Sequence, residues 1–158
     1  MAIGSSTAST AAGTILLVSA ATPATSDAAG YKLLVWTEIA EVTSIGARGK
    51  QFAVVEHKPL AYRGTYKRKG SFNNGQMAIG LAIAKADAGQ DLLSDALESD
   101  DSYSFQIKFP SGRIQYFPGQ VSSFTDSDIG STDAILAGTA NVEVDGDIIT
   151  VKPPVSGA

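Results

Sequence analysis

The chain predicts a mainly β domain, a β-sandwich or open barrel, with one principal α-helix packed on its sheets. Three patterns carry that prediction. Ser102–Phe109 alternates strictly, placing Tyr103, Phe105, Ile107 and Phe109 on one face, the period-two signature of a half-buried strand. Turn signals recur between apolar stretches, at Pro110-Ser111-Gly112 and at Asp145-Gly146. The clearest helical stripe is Leu92, Leu93, Ala96 and Leu97, with Asp91, Asp95 and Glu98 falling outside it.

Residues 1–13 are Ser, Thr, Ala and Gly with almost nothing to bury, and they predict a flexible N-terminal arm in the isolated subunit. Thr14–Ser19 reads as a short strand ended by Pro23. Ser26-Asp27 then caps a short helix running to about Leu34, with Asp27 complementing its N-terminal dipole. Extended stretches follow at Trp36–Ile45 and Lys50–His57, separated by Gly46 and Gly49. Residues 58–75 form a polar, glycine-rich extended arm with an extended piece at Thr65–Lys69; long loops of this kind are functional or disordered.

Gln76–Ala84 sets Met77, Ile79, Leu81 and Ile83 against Ala78, Gly80, Ala82 and Ala84. Large against small, with neither face polar, predicts a strand covered on both sides. The large face enters the core; the small face lies under the helix or admits another backbone. Asp87 and Gln90 make a capping box at the start of that helix. Arg113–Phe117 returns from the Pro110 turn as a hairpin strand, and Pro118-Gly119 interrupts it before Val121–Thr125 as a bend or bulge at a sheet edge. Asp133–Val144 is a long alternating strand. Asp145-Gly146 turns a hairpin into Asp147–Val151, which closes a single domain over 14–151. Residues 152–158, with their Pro-Pro pair, are a frayed tail.

Composition removes several functions. With no cysteine there is no disulfide, thiolate metal site or cysteine nucleophile, and a single histidine, His57, leaves little for zinc or a triad. No catalytic, cofactor-binding or metal residues are assigned. The pairs Asp100-Asp101 and Asp126/Asp128 lack the spaced ligands of a calcium loop, and the glycines match neither phosphate-binding fingerprint. No Lys or Arg precedes Lys32, and the Ile15–Val18 apolar run is four residues. That predicts neither a secretory signal nor a membrane partner.

Charge is divided along the chain. Seven of the twelve Lys and Arg lie between Arg48 and Lys69, opposed only by Glu56, whereas Asp87–Asp147 carries twelve acids against Lys108 and Arg113. Complementary blocks on one molecule suit head-to-tail association of identical copies. The plain alternative is a set of solvated loops. Within the block, Tyr62–Lys69 interleaves aromatics with cations, a pattern that also holds single-stranded nucleic acid. Alternation puts Tyr66 and Arg68 on one side and Lys67 and Lys69 on the other. A protein-contacting arm therefore ranks above a solvated hairpin, and both above a nucleic-acid site.

Taken in order, the segments resemble the major tail tube proteins of long, non-contractile-tailed bacteriophages. The resemblance spans roughly residues 14–151. It runs through Trp36-Thr37-Glu38-Ile39, Glu41–Gly46, Gly70–Gln76, Asp91-Leu92-Leu93, Phe109–Gly112, Phe117–Val121 and Asp145-Gly146. The motifs are short, and their collinear order carries the match.

That resemblance implies a phage tail-tube-like fold and a structural, non-enzymatic subunit of the virion tail, assembled in the host cytoplasm. It implies stacked hexameric rings around a lumen that conducts genomic DNA without specific binding. Partners are other copies of itself, the tape measure protein, and the tail terminator and tail-tip proteins. Ring contacts are expected at Arg63, Lys67, Arg68 and Lys69, with Arg48 and Lys50 secondary. Their acidic partners are expected among Asp126, Asp128 and Asp133, unless these line the lumen. The rival readings are the tube of a type VI secretion system or gene transfer agent, and a β-sandwich module binding carbohydrate or nucleic acid.

Overall fold

The structure, a computed structural model, describes residues 10–153. Residues 1–9 of the expected N-terminal arm and 154–158 of the expected tail lie outside the described residues. The element order is β1 (Ile15–Ser19), α1 (Ala28–Lys32), β2 (Thr37–Glu38), β3 (Val42–Ile45), β4 (Gln51–His57), β5 (Tyr66–Asn73) and β6 (Gln76–Ala82). Then follow α2 (Ala88–Glu98), β7 (Tyr103–Lys108), β8 (Ile114–Asp126), β9 (Ala137–Val144) and β10 (Ile149–Val151). Eight strands make one sheet in the order β2-β1-β7-β8-β9-β6-β3, with β10 also on β8, and β4 pairs only with β5. The predicted mainly β fold with one principal helix is what forms.

The sheet is rolled. Its end strands, β2 and β3, are three residues apart in sequence, so its margins converge at that connection without pairing. Ile39 N–H donates to the Leu16 carbonyl on β1, while Ala82 N–H on β6 donates to the Glu41 carbonyl. The corner between them is turned at Glu41, whose φ of 60° is the left-handed conformation that only a sharp change of direction requires.

Inside the roll lie Leu16, Val18, Met77, Ile79, Leu81, Phe105, Ile107, Phe117, Ala140 and Val142, with Leu93 and Ala96 of α2 in the same core. Phe105 and Phe117 stack at 5.6 Å between centroids, an offset arrangement that adds to the area they bury. A smaller aromatic cluster, Tyr31 stacked on Tyr116 and Trp36 tilted against it, is fastened by Trp36 Nε1–H donating to the Tyr31 carbonyl at 3.0 Å.

Asp87 caps α2 by accepting from Gln90 N–H at 2.9 Å and also accepts from Ala40 N–H at 3.2 Å. The predicted capping box is only half made. The buried Gln90 side chain turns away, donating to the Ala40 and Ala82 carbonyls and accepting from Ala84 N–H. Helix start, sheet corner and β6 end are thus tied by one amide.

Several expectations are corrected. The small face of β6 is not covered by the helix: Ala78 is exposed, and α2 packs on the large face, because only there do Met77, Ile79 and Leu81 offer apolar area. Pro118-Gly119 does not interrupt its strand; β8 runs unbroken for 13 residues. Pro118 sits where the neighbour changes from β9, ending opposite Gly119, to β10, starting opposite Tyr116. Lying between the two ladders, it belongs to neither on that side, a place where a missing N–H is tolerated; the irregularity comes later, between Val121 and Ser123.

Asp145-Gly146 is not a hairpin turn either. β9 and β10 run one after the other along β8, with Asp145 N–H donating to the Pro118 carbonyl. β9 begins at Ala137 rather than Asp133, which lies in the preceding turn. β4, the second of the predicted extended stretches, pairs only with β5 and leaves the body altogether.

Candidate assembly surface

β4 and β5 form a two-stranded ribbon joined to the body at Gly49, whose N–H donates to the Asn74 carbonyl, and at Gly75, whose carbonyl accepts from Val144 N–H. Every residue of β4 is exposed. The pairing Phe52↔Phe72, Val54↔Lys69 and Glu56↔Lys67 defines one face; Val55↔Arg68 and His57↔Tyr66 define the other. The predicted split of Tyr66 and Arg68 from Lys67 and Lys69 is therefore the observed one.

On the first face a pair of rings is flanked by a cation at each end. Lys50 Nζ lies 4.4 Å from the Phe72 ring centre, Phe72 packs on Phe52 at 5.5 Å, and Lys69 Nζ lies 5.0 Å above Phe52. Such cation–ring contacts give about 0.5–1 kcal/mol each when exposed. Lys67 pairs loosely with Glu56 at 3.8 Å. On the second face Tyr62 stacks on Tyr66, 5.5 Å between centroids. Arg63 is exposed in the loop between the strands, and Arg68 reaches only the Lys67 carbonyl, at 3.4 Å.

Arg48 and Lys50 are engaged within the subunit. Arg48 donates through Nε and Nη2 to Gln115 Oε1 at 2.9 and 2.6 Å, and through Nη1 to the Gly46 carbonyl at 3.2 Å. Burial, and then the nearby Arg113 charge, pull its pKa below the usual guanidinium value. Lys50 pairs with Asp147 at 2.8 Å, fixing the base of the ribbon.

The three predicted acids fall elsewhere. Asp126 ends β8, and Asp128 and Asp133 lie in the exposed 127–136 loop before β9. The ribbon leaves beside the Gln76–Glu143 end of the β6–β9 pair, and the acidic loop beside its Ala82–Ala137 end. The ribbon cations and these three acids thus lie at opposite ends of the β6–β9 pair, about 20 Å apart across seven strand residues, while Glu143 and Asp147 stay at the ribbon end.

Sequence reasoning missed the apolar part of this surface. Phe52, Val54, Val55 and Phe72 on the ribbon, and Ile129, Ile135 and Leu136 on the acidic loop, are all more than 40% exposed. The signal in Phe52, Val54 and Val55 was present but reads equally as an ordinary body strand. Among the described residues there is no group of three or more His, Asp or Glu placed to hold a metal, and no helix long and apolar enough to cross a membrane.

A rolled sheet with one packed helix and a projecting, exposed two-stranded ribbon is a mainly β scaffold with no metal or catalytic cluster among the described residues. The family model described as lambda phage tail tube protein matches residues 33–149, and the chain belongs to that family: it is a tail tube subunit of the phage virion. A search of the curated proteins finds no sequence match.

Among solved structures, the chain is similar to one from the anti-feeding prophage baseplate (TM-score 0.67, 9% identity, 94% of this chain and 98% of that one). It is also similar to the SPP1 tail tube (0.61, 15%, 87% and 75%) and to a chain of a gene transfer agent virion (0.60, 14%, 86% and 95%). At these identities the likeness is one of fold.

Proposed function

We propose that this tail tube subunit forms hexameric rings that stack head to tail, and that genomic DNA passes through their lumen without specific binding. The observation that carries the reading is the polarity along β8. Arg113 stands before its first residue, with Arg48 bonded to Gln115, while Asp126 ends it and Asp128 follows. The strand's 13 residues, about 40 Å of chain, separate these charges. One copy's basic end then meets the next copy's acidic end, and the same contact repeats without closing, as a tube requires.

In this arrangement the ribbon cations Arg63, Lys67, Arg68 and Lys69 reach the neighbouring ring, with Asp126, Asp128 and Asp133 as acceptors. Sheet margins join laterally within the ring, which removes exposed strand edges. Acids left facing the lumen repel phosphate, the inverse of the contacts that bind DNA. The subunit carries no catalytic role. The tape measure, terminator and tail-tip proteins meet the tube's inside and ends, and assembly takes place in the host cytoplasm.

Electron microscopy of the purified protein at rising concentration tests this: rings or hollow filaments are expected, and uniform monomers under all salt conditions refute it. Arg68→Glu should shorten filaments and weaken their salt dependence while leaving the melting temperature within about 2 °C, as expected of an exposed position. Unchanged lengths would remove the ribbon from the ring contact.

A further inference from the structure

Between β3 and the start of β1 the rolled sheet leaves a groove of about 470 Å³, lined by the apolar Val42, Ile45, Phe109 and Pro110 and in similar measure by polar residues, Thr43 and Ser44 among them. Two arginines flank the Phe109 ring: the guanidinium carbons of Arg48 and Arg113 lie 5.8 and 5.5 Å from its centre. Among the described residues the salt bridges are Lys50–Asp147 and Lys67–Glu56, so neither arginine has a carboxylate within 4.0 Å. Two like charges around one ring, one of them half buried, repel each other until an anion comes between them.

The far end of β8 leads into a loop of matching chemistry. The 127–136 loop presents Asp128 and Asp133 beside Ile129 and Ile135, which are 76% and 80% exposed. Among the described residues the acids of this loop make no salt bridge and its isoleucines stay exposed, whereas the groove offers apolar side chains and paired cations together.

We infer that the groove at Phe109 receives the 127–136 loop of a second copy of this chain, with Arg48 and Arg113 holding a carboxylate of that loop. The inference rests on the head-to-tail reading above and adds its partner segment. A carboxylate between two guanidinium groups in a partly desolvated groove binds more strongly than an exposed surface pair, and the flanking isoleucines fill the apolar part. The contact joins two different patches, so it propagates rather than closing as a dimer.

The absence of native cysteine makes the test direct. A variant carrying Ser111→Cys on the groove rim with Ser131→Cys on the loop, assembled into tubes and oxidised, should give a ladder of covalent multimers on a non-reducing gel. Each single-cysteine variant should give none. Tubes of the double variant that remain monomeric on the gel overturn the inference while leaving the tube reading intact. Wild-type protein that never forms tubes overturns both.

Independently, Arg113→Glu should raise the critical concentration for tube growth about tenfold or more with an unchanged melting temperature. Adding Asp128→Arg should restore much of the loss. A critical concentration unmoved by Arg113→Glu excludes the clamp.

Discussion

The body and the ribbon are both antiparallel β-structure, yet they obey opposite rules. In the body, β7 buries five of its six residues and Phe105 has no exposed surface. In the ribbon, β4 buries none, and Phe52 and Phe72 remain 41% and 52% exposed although they pack on each other. An isolated two-stranded ribbon is marginal in water. The body holds its shape through its own core; the ribbon has side chains suited to a contact that one subunit does not supply.

The widest separation between the two regions should appear in paired truncations. Phe105→Ala should cost about 3–5 kcal/mol through lost burial and the cavity left beside Phe117. Phe52→Ala should cost the isolated subunit less than about 1 kcal/mol while impairing filament growth. Denaturant unfolding of both variants, read beside filament yield, checks the pair. Equal destabilisation would mean that the ribbon is part of the core after all.

A smaller effect should come from the corner that shapes the body. Gln90→Ala leaves the Ala40 and Ala82 carbonyls and the Ala84 N–H without their side-chain partner, a loss of about 1–3 kcal/mol. Urea unfolding of the subunit measures it. An unchanged midpoint would place the hold on the corner elsewhere.

The smallest effect concerns pH. The Gly30 N–H, and then the Thr25 hydroxyl, hold the Asp27 carboxyl below its ordinary pKa of 3.8. Because the folded value is the lower one, its stabilisation is complete above the unfolded value and fades as pH falls through the folded value. Asp27→Asn keeps the cap but should flatten this acid-side slope, leaving stability near pH 7 almost unchanged. Urea midpoints between about pH 2 and 7 follow it. A slope identical to wild type would assign the acid sensitivity to other carboxylates.

What could be read in advance follows from where each signal resides. The strand around Phe105, the Asp87 cap and the inward set Met77, Ile79 and Leu81 are written in local periodicity, and periodicity survives folding. Partner choice is not local. Val54 alternates as a body strand would, yet pairs only with the ribbon. Asp145-Gly146 has turn chemistry, but the long β8 gives both flanking strands a better neighbour than each other.

Pro118 looked like a break because its missing donor was visible and the gap facing it was not. Of the assembly surface, the charge division was legible. The engagement of Arg48 with Gln115 was not, since the two are 67 residues apart.

The Glu41 corner also bears on when a protomer becomes able to polymerise. Its two sides belong to opposite margins of the roll, and β1 must await β7, with Leu16 opposite Ile107, before either margin has a place. Pairings this distant form slowly. The strands that complete β8 on one side, β9 and β10, both follow it in the chain, from Ala137 to Val151. A protomer in which they have not yet paired leaves one side of β8 open.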